Sequence, residues 1–272
     1  VTEALVRYIW QQEDATAYTM WQILEPQSET IRTGLAEIFD CDREEIAITR
    51  NASESLEILL LGMDLKSGDE ILTTTQDYPR MLTTLRQREK REGLILKLIK
   101  IPVPPKNLNE IAKAFEQGIT NRTRLILISH QVNITGQITP VKAVCAMARA
   151  KGIETIVDGA HSFGQFNFTQ KDLGCDYFGT SLHKWLLAPI GNGCLYVRRD
   201  MIPKFWPLQA APDHPYAPRI PQTLLDRAAV KPVRKPVARL AAGFASLASR
   251  FPDRTIVTFD PRNNGERSPA DD

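Results

Sequence analysis

The chain has 272 residues, of which 43% are hydrophobic and 24% are charged, values that exclude wholesale disorder. Its 34 Lys and Arg residues nearly balance 32 Asp and Glu residues, so the net charge of +2 gives no sign of nucleic-acid binding. No apolar run reaches the roughly 18 residues of a membrane span, and the four cysteines form neither CxxC pairs nor a disulfide framework. These features predict a soluble cytoplasmic protein that binds neither nucleic acid nor membranes.

Helical and strand patterns alternate along the chain as far as Trp206, which is typical of a mostly parallel sheet with helices on its faces. The continuous apolar run 125–129 is expected of a strand that is covered on both faces. The sequence therefore predicts an α/β fold. The predicted helices span 28–39, 53–63, 80–92, 108–119 and 140–150, and the predicted strands span 46–49, 70–74, 94–101, 125–129, 153–157 and 194–197.

Two of the predicted helices carry detailed expectations. Helix 53–63 follows Asn51, a good N-cap, and Glu54 lies three residues later, which makes a variant of the capping box. Helix 28–39 is amphipathic, and one stripe of it is predicted to face the core. That stripe consists of Ile31, Leu35, Ile38 and Phe39.

The composition changes near Trp206–Pro207. Of the 18 prolines, 11 lie from Met201 onward, and the segment from Pro207 carries 10 Lys and Arg residues against 7 Asp and Glu residues. This change predicts a large domain over residues 1–207 and a proline-rich, basic segment over residues 208–272.

Two segments carry candidate catalytic side chains. Asp158 follows a predicted buried strand, and His161 lies in the next loop, at the edge of the sheet where α/β proteins bind ligands. A buried carboxylate there needs a cationic or protonated partner. Lys184 stands between His183 and Trp185 in an apolar context, which favours a lowered amine pKa and a nucleophilic lysine. The simpler alternatives are that Asp158 caps a loop and that Lys184 lies on the surface beside the tryptophan.

Two other segments supply polar groups. A strand leads into the helix N-terminus near Ser53, where backbone N–H groups and the helix dipole favour either a phosphate or a simple cap. A second strand ends in a polar loop with Asn133, in which His130 and Gln131 are interpreted as structural. The whole set, in this order, outlines a site for pyridoxal 5′-phosphate (PLP). That cofactor needs a lysine for attachment, a carboxylate to keep its pyridine nitrogen protonated, and donors for its phosphate.

The match to a known family becomes specific in five stretches, and together they span about residues 45–200. These stretches are TRNASESL, LTTTQDYPRM, SHQVNITG, VDGAHSFG and DYFGTSLHKWLLAPIGNGCLYVRR. The chain resembles the class V aminotransferases among the fold-type I PLP enzymes, and their isopenicillin N epimerase-like branch more than the cysteine desulfurases. The resemblance implies a three-layer α/β large domain with a mostly parallel sheet, preceded by helices over residues 1–45. It also implies PLP as cofactor, an amino-acid substrate and a homodimer.

The resemblance implies a role for each matching residue. Lys184 would be the Schiff-base lysine, and Asp158 the partner of the pyridine nitrogen. His161 and Asn133 would lie near the phenolic oxygen of the ring, and Tyr78 would stack on the ring. The phosphate would be held by Ala52 through its backbone, Ser53, Ser181 and His183.

After Pro207 the resemblance fades. The family's Gly-Thr segment is not found in this stretch, and no cysteine matches the nucleophile of the desulfurases. We therefore expect the small C-terminal domain to be largely missing. A truncated chain is therefore expected, and its reaction subtype stays open among epimerase, lyase, desulfurase and transaminase. The alternative is a PLP-binding remnant or pseudo-enzyme without catalytic competence. The family's substrate-carboxylate arginine cannot be assigned among Arg219, Arg227, Arg234 and Arg239.

Other classes of protein lack their motifs in this sequence. There is no GxGxxG between a strand and a helix, no Walker A phosphate loop and no GxSxG nucleophile elbow. Asp158 and His161 could form a metal pair, but a third ligand at a useful spacing is not evident. No metal site is therefore predicted.

Overall fold

A seven-stranded sheet organises the described part of the chain, residues 1–204 and 206–208 of a computed structural model. Its strands are β1 (Ile46–Thr49), β2 (Glu70–Thr74), β3 (Ile95–Ile99), β4 (Thr123–Ser129), β5 (Glu154–Asp158), β6 (Tyr177–Ser181) and β7 (Gly193–Val197). They lie in the order β1-β7-β6-β5-β4-β2-β3. The pairs from β6 to β3 are parallel, whereas β7 is antiparallel to both β1 and β6. The predicted mostly parallel α/β sheet is confirmed.

Among the described residues, three α-helices precede β1 and five lie in the connections between β1 and β6. They are α1 (Thr2–Asp14), α2 (Thr16–Tyr18), α3 (Glu25–Phe39), α4 (Ala52–Gly62), α5 (Pro79–Glu92), α6 (Leu108–Gly118), α7 (Val141–Ala150) and α8 (Gln170–Leu173). Each predicted helix forms, with its ends shifted by a few residues. Among the described residues, no helix has the length and apolar character that crossing a membrane requires.

Two hydrophobic cores cover opposite faces of the sheet. Along β4, Ile126 and Ile128 lie in one core, whereas Leu125 and Leu127 lie in the other. The first core also contains side chains of α3, α6 and α7, and the second contains side chains of α4 and α5. A parallel strand that is buried on both faces needs helices on both sides. The described residues therefore form the three layers that the resemblance implied.

Helix α3 buries a narrower face than its sequence predicted. Leu35 and Phe39 are buried as expected, but Ile31 and Ile38 are 53% and 52% exposed, so their predicted place in the core is wrong. Ala36 is buried in their stead. Only the last turns of the helix reach the core. Ile31 lies one turn too early, and Ile38 points about 100° away from its neighbour Phe39.

Strand β6 is missing from the sequence prediction because Gly179 lies in its middle. Glycine weakens a strand pattern, but it also marks a close approach of another segment. A Cβ at Gly179 would lie 2.9 Å from Leu56 Cδ2 and 3.0 Å from Ser55 Cβ, both of helix α4. Helix α4 therefore packs directly on the backbone of β6, and this contact brings the start of the helix to the end of the strand.

His130 lies in an aromatic cluster of the core. Its ring packs edge-to-face on Phe166 and Phe168, with centroids 5.3 and 4.7 Å away. Burial lowers the pKa of His130 to about 4. Its Nδ1 has no hydrogen-bond partner among the described residues. The ring therefore contributes to the core as a neutral group.

We expect His130 to make the fold sensitive to acid. Because its pKa in the folded chain lies below the ordinary 6.5, the unfolded chain takes up the proton first as the pH falls. The contribution of the neutral His130 ring to stability is complete above pH 6.5 and is lost towards pH 4. This loss lowers the free energy of unfolding by about 3 kcal/mol. Urea titrations of the wild type and His130→Phe from pH 7 to 4.5 measure this difference. An unchanged pH dependence in the variant would contradict the assignment.

The predicted segment 208–272 lies outside the described residues, apart from Leu208. Its four candidate arginines lie there too. The predicted domain boundary at residue 207 therefore stays a prediction.

Candidate active site

A pocket of about 320 Å³ opens where β2, β4, β5 and β6 end, beside the N-terminus of α4. Parallel strands deliver their loops to one edge of a sheet, which is where α/β proteins bind ligands. Because β1 and β6 are both antiparallel to β7, β1 ends at this edge as well. The pocket brings together every predicted site residue, namely Ala52, Ser53, Tyr78, Asn133, Asp158, His161, Ser181, His183 and Lys184. Unpredicted lining residues are Arg50, Asn51, Leu56, Ser129, Gln131, Ala160, Ile190 and Gly191.

The start of α4 presents backbone donors to the pocket. Asn51 caps the helix, and its Oδ1 accepts from the N–H of Glu54 at 2.9 Å. The N–H of Ala52 donates to Ser181 Oγ at 2.9 Å and so joins the helix to the end of β6. The N–H of Ser53 has no partner within the described part of the chain. This free donor lies at the positive end of the helix dipole, where an anion is stabilised.

The predicted capping box is wrong in its second half. The carboxylate of Glu54 accepts from the backbone N–H of Arg50 at 2.6 Å and from its Nε at 2.9 Å, instead of returning to Asn51. The reason lies in β7, because a Cβ at Gly193 would lie 2.6 Å from the backbone N of Asn51. The backbone of Asn51 is thus closed off by the neighbouring strand.

Asp158 is buried at the end of β5. One carboxylate oxygen accepts from the N–H of Ala160 at 2.9 Å. Burial raises the pKa of Asp158 to about 6; the carboxylate of Asp77 adds to this effect, whereas the Ala160 hydrogen bond and Lys184 oppose it. A carboxyl group in this state is stabilised as the anion by a cation placed against it.

Lys184 lies in the loop after β6 and contacts His161. The distance between Lys184 Nζ and His161 Nε2 is 2.9 Å. Burial lowers the pKa of the Lys184 amine, although the charge of Asp158 opposes this effect. Burial and the charge of Lys184 also lower the pKa of His161. A larger share of the amine is therefore neutral and nucleophilic at a given pH than in a free lysine.

Asp77 is a site-supporting residue that the sequence analysis missed. Its Oδ2 accepts from Thr73 Oγ1, Thr74 N and Thr74 Oγ1 at 2.6, 2.9 and 2.7 Å. Its Oδ1 accepts from Ser129 N and Oγ at 3.0 and 2.7 Å. The carboxylate thus ties the end of β2 to the end of β4 and fixes the start of α5, where Tyr78 faces the pocket. The available signal was an Asp three and four residues after a Thr pair.

Two polar residues at the mouth complete the pocket. Asn133 is exposed, and Gln131, which was interpreted as structural, lies on the pocket wall. Gln131 pairs with Ile138 in an isolated bridge, and its Oε1 has no partner among the described residues. His183 Nδ1 lies 3.2 Å from the carbonyl oxygen of Asn192.

Sequence comparisons identify relatives of the chain. A family model of aminotransferase class V matches residues 7–221. Isopenicillin N epimerase of Streptomyces clavuligerus is 33% identical over 180 residues, which cover 66% of this chain and 45% of that protein. A probable cysteine desulfurase of Pyrococcus abyssi is 29% identical over 188 residues, which cover 68% and 46%. The chain thus spans about half the length of the curated relatives it matches.

Solved structures with the same fold agree with this match. The cystine C–S lyase C-DES in complex with cysteine persulfide is 27% identical, with a TM-score of 0.71 over 77% of this chain and 56% of that chain. A C-DES mutant with glycine covalently linked to its PLP cofactor is 26% identical, with the same TM-score of 0.71 and the same coverage. The family match includes most of the described residues and the whole pocket. The chain belongs to the aminotransferase class-V family.

Proposed function

We propose that this chain carries the cofactor site of a PLP-dependent enzyme that acts on an amino acid through Lys184. One observation carries the proposal: a single pocket joins a half-buried lysine amine, a buried carboxylate and the N-terminus of a helix. When bound, PLP withdraws electrons from the α-carbon of an amino acid. The relatives and the structural neighbours named above support this class of chemistry.

The residues of the pocket fit PLP by their chemistry. A phosphate dianion suits the N-terminus of α4, where the N–H of Ser53 is free and the hydroxyls of Ser53 and Ser181 lie nearby. The buried Asp158 suits a protonated pyridine nitrogen, because that cation would favour the carboxylate form. The volume of about 320 Å³ lies within the range of about 300–1,000 Å³ that is typical of small-molecule sites.

Each side chain has a defined task in this proposal. The amine of Lys184 would attach the cofactor, and as a free amine it would be placed to take and return a proton. Asp158 would hold the proton on the pyridine nitrogen, and the ring of Tyr78 would stack on the cofactor. His161 and Asn133 would bind the phenolic oxygen. The phosphate would be bound by Ala52 through its backbone, Ser53, Ser181 and His183.

We further propose a homodimer in the cytoplasm. Ile190 lines the pocket and is 93% exposed, and Leu187, close to Lys184 in sequence, is 70% exposed. Apolar side chains exposed at the rim of a site are a mark of association. All four cysteines are free thiols, which suits a reducing compartment.

The attachment of PLP to Lys184 can be measured directly. The purified chain is incubated with PLP, its visible absorption is recorded, and borohydride reduction is followed by peptide mapping. We expect one adduct, on Lys184, and none in Lys184→Ala. Lys171→Ala serves as the matched control, because Lys171 is exposed and pairs with Asp40 outside the pocket. An adduct on another lysine would contradict the site.

Turnover then distinguishes the enzyme from a remnant. Consumption of any amino acid by the PLP-loaded chain, tested as racemisation, elimination, sulfur release and transamination, excludes a catalytically incompetent protein. An adduct on Lys184 without any of these reactions favours the pseudo-enzyme alternative. Neither result changes the assignment of the cofactor site to Lys184.

A further inference from the structure

The indole of Trp185 contacts His161 on the side away from Lys184. Trp185 Nε1 lies 3.5 Å from His161 Nδ1 in hydrogen-bonding geometry. The other ring nitrogen, Nε2, lies 2.9 Å from Lys184 Nζ. The three side chains therefore form a row in which the imidazole lies between a tryptophan and an amine.

The chemistry of the indole limits how protons are arranged along this row. An indole N–H can only donate, so His161 Nδ1 must accept, and a neutral imidazole then carries its proton on Nε2. The Nε2–H donates to Lys184 Nζ, which has a free lone pair only as the neutral amine. A protonated Lys184 would need Nε2 to accept as well, and a neutral imidazole cannot accept at both nitrogens.

We propose that Trp185 is a positioning residue that fixes His161 as the Nε2–H tautomer and thereby favours the neutral form of Lys184. The use of that amine rests on the proposed function, whereas the tautomer is a property of this chain alone.

A close contact between two backbone segments supports this arrangement. Gly164 follows His161 by three residues and has a φ of +84°. A Cβ at this glycine would lie 2.8 Å from the backbone N of Leu186 and 3.0 Å from the carbonyl carbon of Trp185. The loop of His161 is thus packed directly on the backbone of Trp185, at a position that only glycine tolerates without strain.

The surrounding charges act in both directions on Lys184. The charge of Asp158 favours the ammonium form of Lys184, and the charge of Asp77 in turn raises the pKa of Asp158. Burial opposes Asp158 and has the larger effect, so the pKa of Lys184 is lowered. The hydrogen bond from the Nε2–H of His161 acts in the same direction as burial.

The tautomer can be observed without cofactor. The chain has four histidines, so ¹⁵N-histidine labelling gives few imidazole signals, and His161→Gln identifies those of His161. We expect the Nε2–H pattern in the cofactor-free wild type at neutral pH. An Nδ1–H or a doubly protonated ring would overturn the inference. This measurement decides the point even if a Trp185 variant fails to fold.

The effect on Lys184 is tested by Trp185→Phe, which keeps an aromatic ring but removes the donor. Loss of a hydrogen bond changes the population ratio by roughly fivefold. We therefore expect the pH midpoint of the rate of PLP attachment to Lys184 to rise by roughly 0.7 unit. Trp206→Phe is the matched control, because its indole bonds to Asp64 outside the pocket, at 3.1 and 3.2 Å. Its midpoint should equal that of the wild type.

The outcomes separate this inference from the proposed function. An equal midpoint in Trp185→Phe and the wild type overturns the role of Trp185, even though attachment to Lys184 still supports the PLP site. If PLP fails to attach to the wild type, the proposed function fails, and the NMR signals of His161 still decide the tautomer.

Discussion

Replacing Asp158 with asparagine is expected to stabilise the cofactor-free protein at pH 7. The pKa of Asp158 is raised from 3.8 to about 6, so the folded chain holds this proton more tightly than the unfolded chain. The stability that protonated Asp158 contributes is complete below pH 3.8 and is lost as the pH rises through 6. At pH 7 the ionised carboxylate therefore makes the fold about 3 kcal/mol less stable than it would be with a neutral group at this position. Asparagine carries no charge, and its Oδ1 can still accept from the N–H of Ala160.

The same substitution should remove function while it adds stability. If PLP binds as proposed, the variant would lack the carboxylate that would keep the pyridine nitrogen protonated, so we expect turnover to fall by at least about 10²-fold. Urea titrations of the cofactor-free wild type and Asp158→Asn at pH 7 and pH 4.5 measure the change in stability. The free energy of unfolding of the variant should exceed that of the wild type by a large amount at pH 7 and by a small amount at pH 4.5.

Asp77→Asn provides the control for this prediction. Asp77 is also a buried aspartate of the same edge, but its carboxylate accepts five hydrogen bonds, including two from Ser129. An amide cannot accept all of them, so this variant should be destabilised. If Asp158→Asn were also less stable than the wild type at pH 7, the penalty assigned to the buried charge would be wrong.

Substitution of Gly159 by alanine is expected to cost roughly 3 kcal/mol or more. A Cβ at this position would overlap Cζ and Cε2 of Phe178. The ring of Phe178 cannot withdraw easily, because it packs against Phe39 with centroids 4.7 Å apart. The backbone of Gly159 is held as well, because its N–H donates to the carbonyl oxygen of Gly179 at 2.8 Å.

Gly34→Ala is the matched control. Nothing lies within 4 Å of a Cβ at Gly34, and this residue belongs to helix α3. The substitution should therefore stabilise the protein by about 0.5–1 kcal/mol. Denaturant unfolding of both variants gives the comparison. A loss below about 1 kcal/mol in Gly159→Ala would show that the core around Phe178 yields to the added methyl group.

Much of the fold was predictable because its elements carry local patterns. Strand β4 reads as a continuous apolar run, and its residues alternate between two cores in the structure. Strand β6 was not predictable in this way, because Gly179 is required by helix α4, which lies far away in sequence. The exposure of Ile31 and Ile38 has a similar origin, since it depends on where the core ends and not on the helix itself.

In the candidate site, too, local patterns were predictable and contacts between distant segments were not. Asp158 and Lys184 were predictable because their residue types stand at strand ends in a recognisable order. The clamp of Asp77 on Ser129 and the contact of Trp185 with His161 join segments that are 52 and 24 residues apart. Such contacts depend on how the loops meet in space, and they cannot be predicted from the presence of an aspartate or a tryptophan in the sequence.

The edge position of β1 has a consequence for how the protein is made. This strand pairs with β7. Ala52, which follows the strand in the sequence, donates its N–H to Ser181, which is 129 residues later in the chain. A ribosome adds about 5–20 residues per second, so β1 waits on the order of ten seconds for its partner strand to be synthesised. During that interval its backbone donors and acceptors are open to wrong partners. The end of the pocket at the N-terminus of α4 is thus assembled late, and a ligand that binds there would report that β1 has paired with β7.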